Sequence, residues 1–163
     1  MTDRSGFDEF VHARGPALAR TAYLLTGDHH LAEDLVQAAL VQAAKHWERI
    51  EISPEAYVRR TMYHQNISWW RRRKLAESPL ESYDAPVPAA DPTLRLTLEQ
   101  ALRRLTSRQR TVLVLRYFED LTEVQTAAAL GISSGAVKSM SRQALQRLRV
   151  LAPELADLVG ADA

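Results

Sequence analysis

Apolar residues recur along this chain at helical spacing, and no segment of any length alternates between apolar and polar positions. The clearest case lies between His29 and Ile50, where one side of the predicted helix is apolar. That side carries Ala32, Val36, Ala39, Leu40, Ala43 and Trp47. Because helical spacing dominates in both halves of the chain, the sequence predicts an all-α fold.

Local signals predict where several of these helices begin and end. Ser53 and Pro54 are suited to the N-cap and the first helical position. Capping boxes of the Ser/Thr-x-x-Glu/Gln type occur at Thr106–Gln109 and Thr122–Gln125, and each predicts a helix start. Gly131 predicts a helix end, since glycine adopts the left-handed conformation at little cost.

The segment Glu77–Pro92, ESPLESYDAPVPAADP, separates the two halves. It contains four of the seven prolines and four acidic residues, with neither Lys nor Arg. Proline fixes φ and removes a hydrogen-bond donor, so this composition predicts an extended linker. We therefore expect two small helical domains, residues 1–76 and 93–152, joined by a linker at 77–92 and followed by a short acidic tail at 153–163.

The net charge of +1 conceals a strong asymmetry along the chain. Residues 1–55 contain five Lys/Arg against nine Asp/Glu. Residues 59–74 contain six cations and residues 134–149 contain four, and neither segment has an acid. Two basic patches in an otherwise acidic chain indicate two contacts with a polyanion. The alternative is two solvated helix faces, although such faces usually carry both signs of charge.

Several classes of function lack support in the sequence. The chain has no cysteine, and therefore no disulfide and no Cys-ligated zinc. His30 and Glu33 are three residues apart on one predicted helix, but no further ligands accompany them, so we expect surface residues and no metal site. No P-loop, Gly-rich fingerprint or nucleophile elbow is present, which predicts no catalytic residues, no cofactor and no enzyme activity. With no apolar signal region and no membrane span, we expect a cytoplasmic protein that does not enter a membrane.

The C-terminal basic patch is typical of a helix-turn-helix. Between Leu121 and Arg149 the sequence predicts a short helix, a tight turn at Gly131–Ser133, and a longer helix for which Ser133 is a natural N-cap. Its inner face carries Val137, Met140, Ser141, Ala144 and Leu148. Small residues on the outer face allow close approach to base edges, and Arg and Gln can read guanine and adenine. The candidate duplex-binding residues are Ser134, Gly135, Ala136, Lys138, Ser139, Arg142, Gln143 and Gln146. The alternative is an exposed helix of a bundle, where Glu and Lys would normally be mixed.

The N-terminal basic patch combines aromatic and cationic residues in the stretch NISWWRRRK, Asn66–Lys74. On a helix, Val58, Met62 and Trp69 share a plausible core stripe. A second, separate stripe consists of Arg59, Tyr63, Asn66, Trp70 and Arg73. Adjacent tryptophans point about 100° apart, so we expect Trp69 to pack inward and Trp70 to stay near the surface. Exposed rings beside arginines suit stacking on unpaired bases and neutralisation of phosphates. The candidate single-strand-binding residues are Arg59, Tyr63, Asn66, Trp69, Trp70, Arg71, Arg72 and Arg73. The alternative is that both tryptophans are buried against neighbouring helices.

A third candidate surface lies opposite the apolar side of the His29–Ile50 helix. It carries Asp34, Gln37, Ala38, Val41 and Lys45. Exposed valine and alanine between an acid and an amide suggest a contact with a protein partner, although single exposed apolar residues are also common.

With these segments identified, the chain resembles bacterial sigma factors of the extracytoplasmic-function (ECF) group, and NISWWRRR resembles the actinobacterial sigma-E-like family. AEDLVQAALVQAAKHW is similar to the part of sigma region two that binds the clamp helices of the RNA polymerase β′ subunit. AYVRRTMYHQNISWWRRRK is similar to the segment that opens the −10 element and captures its non-template strand. LTSRQRTVLVLRYFEDLTEVQTAAALGISSGAVKSMSRQALQRLR is similar to sigma region four, which reads the −35 element.

The resemblance implies roles for particular residues and partners. Asp34 and Gln37, with Val41 and Lys45 beside them, would contact polymerase, and Asn66 would contact the displaced strand. Lys138, Ser139 and Arg142 would lie in or beside the −35 major groove. Implied partners are promoter DNA and core RNA polymerase, through the β′ clamp helices and the β flap, with an anti-sigma protein as a further candidate.

The helix-turn-helix alone also resembles LuxR-type regulators. The rival hypothesis is therefore a stand-alone transcription regulator that binds duplex operator DNA without polymerase. The two hypotheses differ in whether promoter recognition needs the core enzyme.

Overall fold

The computed structural model describes residues 4–51, 53–76 and 97–154, with the side chains of residues 73–76 left aside. The predicted linker at 77–92, and all of the predicted tail beyond residue 154, lie outside the described residues. The regular elements within them are all helical, which confirms the predicted all-α class. The helices are α1 (Arg4–Thr26), α2 (His29–His46), α3 (Pro54–Ala76), α4 (Leu98–Arg103), α5 (Ser107–Leu113), α6 (Glu123–Leu130) and α7 (Ser134–Leu151). A 3-10 turn, Trp47–Arg49, follows α2, and a π-helical turn, Val114–Phe118, follows α5.

The chain divides into two compact units, Met1–Arg72 and Arg73–Ala163, and each is described separately. None of the described helices is long and apolar enough to cross a membrane. Nor do the described residues include a group of three or more His, Asp or Glu side chains able to hold a metal ion.

The predicted capping signals act as expected. Thr106 accepts a hydrogen bond from the Gln109 N–H at 3.2 Å, and Gln109 Oε1 accepts one from the Thr106 N–H at 3.2 Å. Thr122 and Gln125 form the same reciprocal pair at 3.1 and 2.9 Å. A further capping box, which was not among those predicted, opens α4 at Thr97. Each box satisfies backbone N–H groups that have no partner inside the helix.

The first unit packs α1, α2 and α3 around a small apolar core. Leu18, Ala22 and Leu25 of α1 are fully buried, as are Val58 and Met62 of α3. The buried side of α2 consists of Ala32, Leu35, Ala39 and Ala43. The predicted stripe was therefore slightly misplaced: Leu35 is buried, whereas Val36, Leu40 and Trp47 are only half-buried. Trp47 packs instead against Phe7 and Phe10 of α1, with ring centroids 5.3 and 5.5 Å away.

The second unit has its core where α5 meets α7. Val112–Leu115 are all fully or almost fully buried, together with Val137 and Leu148 of α7. The π-helical turn prolongs α5, and the Glu119 N–H donates to the Val114 carbonyl at 2.9 Å. Arg116 Nη1 donates to the Leu121 carbonyl at 2.6 Å, which closes the connection towards α6.

Candidate nucleic-acid and polymerase interfaces

The turn between α6 and α7 is built as the sequence predicts. Gly131 ends α6 in the left-handed conformation, with φ +67°. The Ile132 N–H donates back to the Ala127 carbonyl at 3.1 Å, so the turn is closed by backbone hydrogen bonding. Ser133 then caps α7, its Oγ accepting from the Ala136 N–H at 3.1 Å. These bonds fix the start of α7 relative to α6, as a helix-turn-helix requires.

The inner and outer faces of α7 are those predicted from the sequence. Val137, Ser141, Ala144 and Leu148 are buried on the inner face, together with Leu145, which was not predicted there. Met140, also predicted for the inner face, is half-buried. Of the eight candidate duplex-binding residues, Ala136 is half-buried and the other seven are exposed; these are Ser134, Gly135, Lys138, Ser139, Arg142, Gln143 and Gln146. One continuous helical face therefore presents the guanidinium, ammonium, amide and hydroxyl groups to solvent.

The candidate single-strand stripe on α3 is not laid out as predicted. The residues that share a side with Trp70 were expected to be exposed, but Tyr63 is 5% exposed and Asn66 only 1%. These two side chains line the inner side of α3 beside Val58 and Met62, so the protein shields them from solvent. Arg59 also turns towards the protein, with 19% of its side chain exposed.

The two tryptophans share the boundary of the core rather than dividing into one buried and one exposed ring. Trp69 and Trp70 are both half-buried. Successive residues of a helix point in directions about 100° apart. The buried side of α3 is centred between Met62 and Asn66, and this direction lies between those of Trp69 and Trp70. Each indole is therefore partly covered by the protein and partly accessible. Arg71 and Arg72 beside them are exposed, and the Arg73 side chain lies outside the described set.

A network of charged groups ties the start of α3 to α1. Arg14 donates to both carboxylate oxygens of Glu55, at 3.0 and 2.6 Å. Arg59 donates to Glu55 Oε1 through Nε at 3.1 Å and Nη2 at 3.0 Å, and its Nη1 donates to Thr21 Oγ1 at 2.7 Å. The hydrogen bond from Arg14 is the main reason that the pKa of Glu55 lies below its ordinary value, with that from Arg59 adding to it. This network was not predicted from the sequence, because nothing local links Arg14 to a residue 41 positions away.

The candidate polymerase-binding surface on α2 is accessible. Asp34, Gln37 and Lys45 are exposed, and Val41 is one of few large apolar side chains left to solvent within the described residues, at 52% exposure. The four residues recur every three or four positions along α2, so they form one ridge opposite the buried side.

Comparison with known proteins accounts for both units. The family model for Sigma-70 region 2 matches residues 10–75, and that for Sigma-70, region 4, matches residues 101–150. The RNA polymerase sigma-E factor of Streptomyces coelicolor is 43% identical over 151 residues, covering 88% of this chain and 84% of that protein. The ECF RNA polymerase sigma factor SigL of Mycobacterium tuberculosis is 34% identical over 164 residues, covering 93% of this chain and 89% of that protein.

A solved structure agrees in fold. The sigma factor RpoE from Bartonella quintana, crystallised in complex with the anti-sigma factor NepR, gives a TM-score of 0.64 at 24% identity. The match covers 90% of this chain and 96% of that one. The region 2 match assigns the N-terminal half of the chain to a sigma-factor domain. The rival hypothesis of a stand-alone regulator leaves this half unexplained. The resemblance found in the sequence is thus confirmed, and the chain belongs to the ECF group of bacterial RNA polymerase sigma factors, which are non-catalytic initiation factors that direct promoter-specific transcription.

Proposed function

We propose that this sigma factor uses three separate helical surfaces, one for core RNA polymerase and two for promoter DNA. The observation that carries the proposal is the outer face of α7, where seven of the eight candidate residues are exposed over roughly three and a half turns, in a segment free of acids. A solvated bundle helix has no need of such one-sided charge, whereas a helix entering a major groove does.

In the proposed role of region four, residues 93–152, α7 reads the −35 duplex. Ser134, Gly135 and Ala136 bring the start of the helix close to the DNA, where its backbone N–H groups can bind a phosphate. Arg142 is placed to read guanine, and Gln143 and Gln146 are amides suited to adenine. Lys138 and Ser139 contribute contacts beside the same groove.

In the proposed role of region two, residues 1–76, the end of α3 captures the displaced −10 strand. The accessible sides of Trp69 and Trp70 stack on unpaired bases, and Arg71 and Arg72, with Arg73, neutralise phosphates. Partial burial restricts the rotamers of each indole, so less freedom is lost when a base stacks on it.

The proposed contact with polymerase is the α2 ridge of Asp34, Gln37, Val41 and Lys45, docked on the β′ clamp helices. Region four would contact the β flap, and residues 77–92 would form the linker between the two regions. An anti-sigma protein is a further proposed partner, supported by the complex in which the Bartonella relative was crystallised. We propose that the protein acts in the cytoplasm and uses no cofactor, metal or catalytic residue.

Transcription in vitro with purified core polymerase tests the proposal, on promoters found by mapping start sites after overexpression. The wild-type protein should initiate at these promoters only when core enzyme is present. Asp34→Arg should reduce initiation at low core concentration, and excess core should restore it. A protein that binds the same DNA as tightly alone as with core enzyme would instead be a stand-alone regulator.

The −35 assignment has its own variants. Arg142→Ala should lower the preference for the native over a scrambled −35 element by about 1–3 kcal/mol, the usual value of a bidentate base contact. Arg103→Ala removes another exposed arginine, from α4, and serves as the matched control. If both variants retain the full −35 preference, α7 does not read the element through Arg142.

A further inference from the structure

The outer face of α7 ends in an exposed apolar side chain that none of the proposed −35 contacts uses. Val150 is 82% exposed, more than Val124 at 69% or any other exposed large apolar side chain of the described residues. It follows Gln143 and Gln146 at seven and four positions, which places all three within about 60° of one another on a helix. Val150 therefore prolongs the polar outer face by about 6 Å with a surface that water solvates poorly.

Arginines surround this valine. Arg149 is exposed, Arg147 is half-buried, and Arg142 is exposed about two turns earlier. Residues 134–149 contain no acid, and none of the three guanidinium groups has a hydrogen-bond or ion-pair partner among the described residues. An apolar side chain bounded by such guanidinium groups fits a segment that offers both apolar side chains and carboxylates.

The chain leaves α7 directly after Val150. The helix ends at Leu151, and Ala152 has φ −151° and ψ 76°, outside the helical region. Ala152 is 7% exposed and its N–H donates to the Leu148 carbonyl at 2.7 Å, so this turn is held against the core. Pro153 follows and has no backbone N–H with which to continue α7. The next residues therefore begin close to Val150 but off the axis of α7.

The segment that follows, residues 155–163, has a complementary composition. Its sequence, LADLVGADA, contains neither Lys nor Arg. It carries three large apolar residues, Leu155, Leu158 and Val159, and two acids, Asp157 and Asp162. The apolar residues are suited to cover a valine, and the carboxylates are suited to pair with arginine.

The length of this segment allows it to reach the arginines. Each residue of an extended chain spans at most about 3.3–3.6 Å, so Asp162 can lie up to about 27 Å from Glu154. Arg142 lies about 14 Å before the end of α7 along the helix axis. Asp162 can thus reach Arg142. Asp157, up to about 10 Å from Glu154, can reach Arg149 in the last turn of α7.

We propose that residues 155–163 form an autoinhibitory strap, which docks on the outer face of α7 in the free protein and competes with −35 DNA. The apolar residues of the strap cover Val150. Its first acid, Asp157, pairs with Arg149. Its second acid, Asp162, pairs with Arg142, which the proposed function assigns to guanine. This inference rests on that proposed function and adds a regulatory contact to the same face.

The strap is held weakly enough for DNA to displace it. Exposed ion pairs contribute little individually, but covalent attachment gives the strap an effective concentration in the millimolar range. It can therefore compete with the weak DNA binding expected of the free protein. Holoenzyme binds promoter DNA through additional surfaces, so the DNA displaces the strap there. The free sigma factor is thereby kept off −35 sequences.

Binding of the free full-length chain to a −35 duplex, measured by fluorescence anisotropy at low salt, tests the strap. Asp157→Asn/Asp162→Asn should tighten binding by about two- to thirtyfold, which corresponds to the loss of two exposed ion pairs. Glu99→Gln/Asp120→Asn makes the same change in net charge at two exposed acids of the second unit and is the matched control. Equal tightening by both double variants would reveal a general charge effect and would overturn the strap.

A variant without a change of charge separates docking from electrostatic repulsion. Leu158→Ser should tighten DNA binding by about threefold, because it removes the contribution of a leucine that is about half-covered in the docked strap. If Leu158→Ser binds the duplex as wild type does, the acids of the segment act by repulsion alone and the proposed docking is wrong.

A spin label attached at Ala163→Cys reports the contact directly, since the chain has no other cysteine. In the free protein the label should broaden the amide NMR signal of Arg142 more than that of Val124 on α6. An excess of −35 duplex should remove this difference. Equal broadening of the two signals in the free protein would count against a docked strap.

The predicted linker, residues 77–92, is the other acid-rich segment that could cover α7. If Glu77→Gln/Glu81→Gln tightens DNA binding and Asp157→Asn/Asp162→Asn does not, the linker is the occupant and the strap is wrong. Strap variants that change nothing, in a protein whose holoenzyme prefers the native −35 element, would overturn this inference alone. A wild-type holoenzyme without any −35 preference would overturn the proposed function itself.

Discussion

Two glycines near the start of α7 should respond to alanine in opposite directions. Gly131 has φ +67°, and a Cβ added there meets no atom within 4 Å. The cost of Gly131→Ala is therefore conformational rather than steric, and the left-handed conformation costs an L-residue about 1–2 kcal/mol. Since alanine also restricts the unfolded chain, which favours folding by about 0.4–1 kcal/mol, we expect a net loss of about 1 kcal/mol.

Gly135 is only four residues further along but lies within α7. A Cβ added at Gly135 would have Ser133 Oγ as its nearest neighbour at 3.9 Å, an ordinary contact distance. Alanine is favoured over glycine in a helix by about 0.5–1 kcal/mol, so Gly135→Ala should raise the stability of the second unit. The two variants make the same chemical change, and only the backbone conformation differs.

Thermal unfolding of the full chain can assign these effects to one unit. All three tryptophans precede residue 73, so their fluorescence reports the first unit, whereas far-UV circular dichroism reports helices of both. Gly131→Ala should lower the dichroism midpoint of the second unit by about 4–8 °C, Gly135→Ala should raise it, and neither should move the fluorescence midpoint. Equal effects of both variants, or a stabilising Gly131→Ala, would refute the reasoning.

Three other outcomes are expected. Trp70→Ala should cost about 1–3 kcal/mol of open-complex stability, measured as complex lifetime, while the protein still folds and binds core polymerase as wild type does; a loss of folding would make Trp70 a core residue. Thr126→Val and Ser141→Ala remove buried hydroxyls that have no hydrogen-bond partner within the described structure, so urea unfolding should show neutral to stabilising effects of up to about 1 kcal/mol. The pKa of Glu55 is lowered in the folded state, so its stabilising effect is full above its ordinary value of 4.5 and is lost as pH falls through the lower folded value. Wild type should therefore lose more stability than Glu55→Gln over that acidic range, and parallel curves would contradict this.

Signals that act over three or four residues could be predicted well from sequence. The capping boxes at Thr106 and Thr122 and the left-handed Gly131 are examples, since their hydrogen bonds join groups within one turn. The box at Thr97 carried the same signal and was overlooked. The faces of α7 followed from periodicity because its apolar and polar residues are cleanly separated.

The face of α3 could not be predicted in the same way. Helical periodicity assigns residues to faces of α3 but does not show which face packs against a neighbouring helix. Because Tyr63 and Asn66 have polar groups, their face was predicted to be exposed, and this prediction was wrong. α1 supplies the missing information: Thr21 and Arg14 provide partners for Arg59 and Glu55, which allows polar groups to lie against the protein.

The sequence by itself determined the helical class, the ends of several helices and the helix-turn-helix, because local hydrogen bonding and short-range periodicity encode these features. The sigma-factor family followed from the resemblance of whole segments to known sigma regions. Only the tertiary structure decided how α3 is rotated, and with it that Arg59 is engaged by the protein while Arg60 is exposed to solvent. The physical reason is that a buried polar group is stable only when another part of the chain supplies its partner, and the partners of Arg59 are divided between a nearby residue of α3 and the distant helix α1.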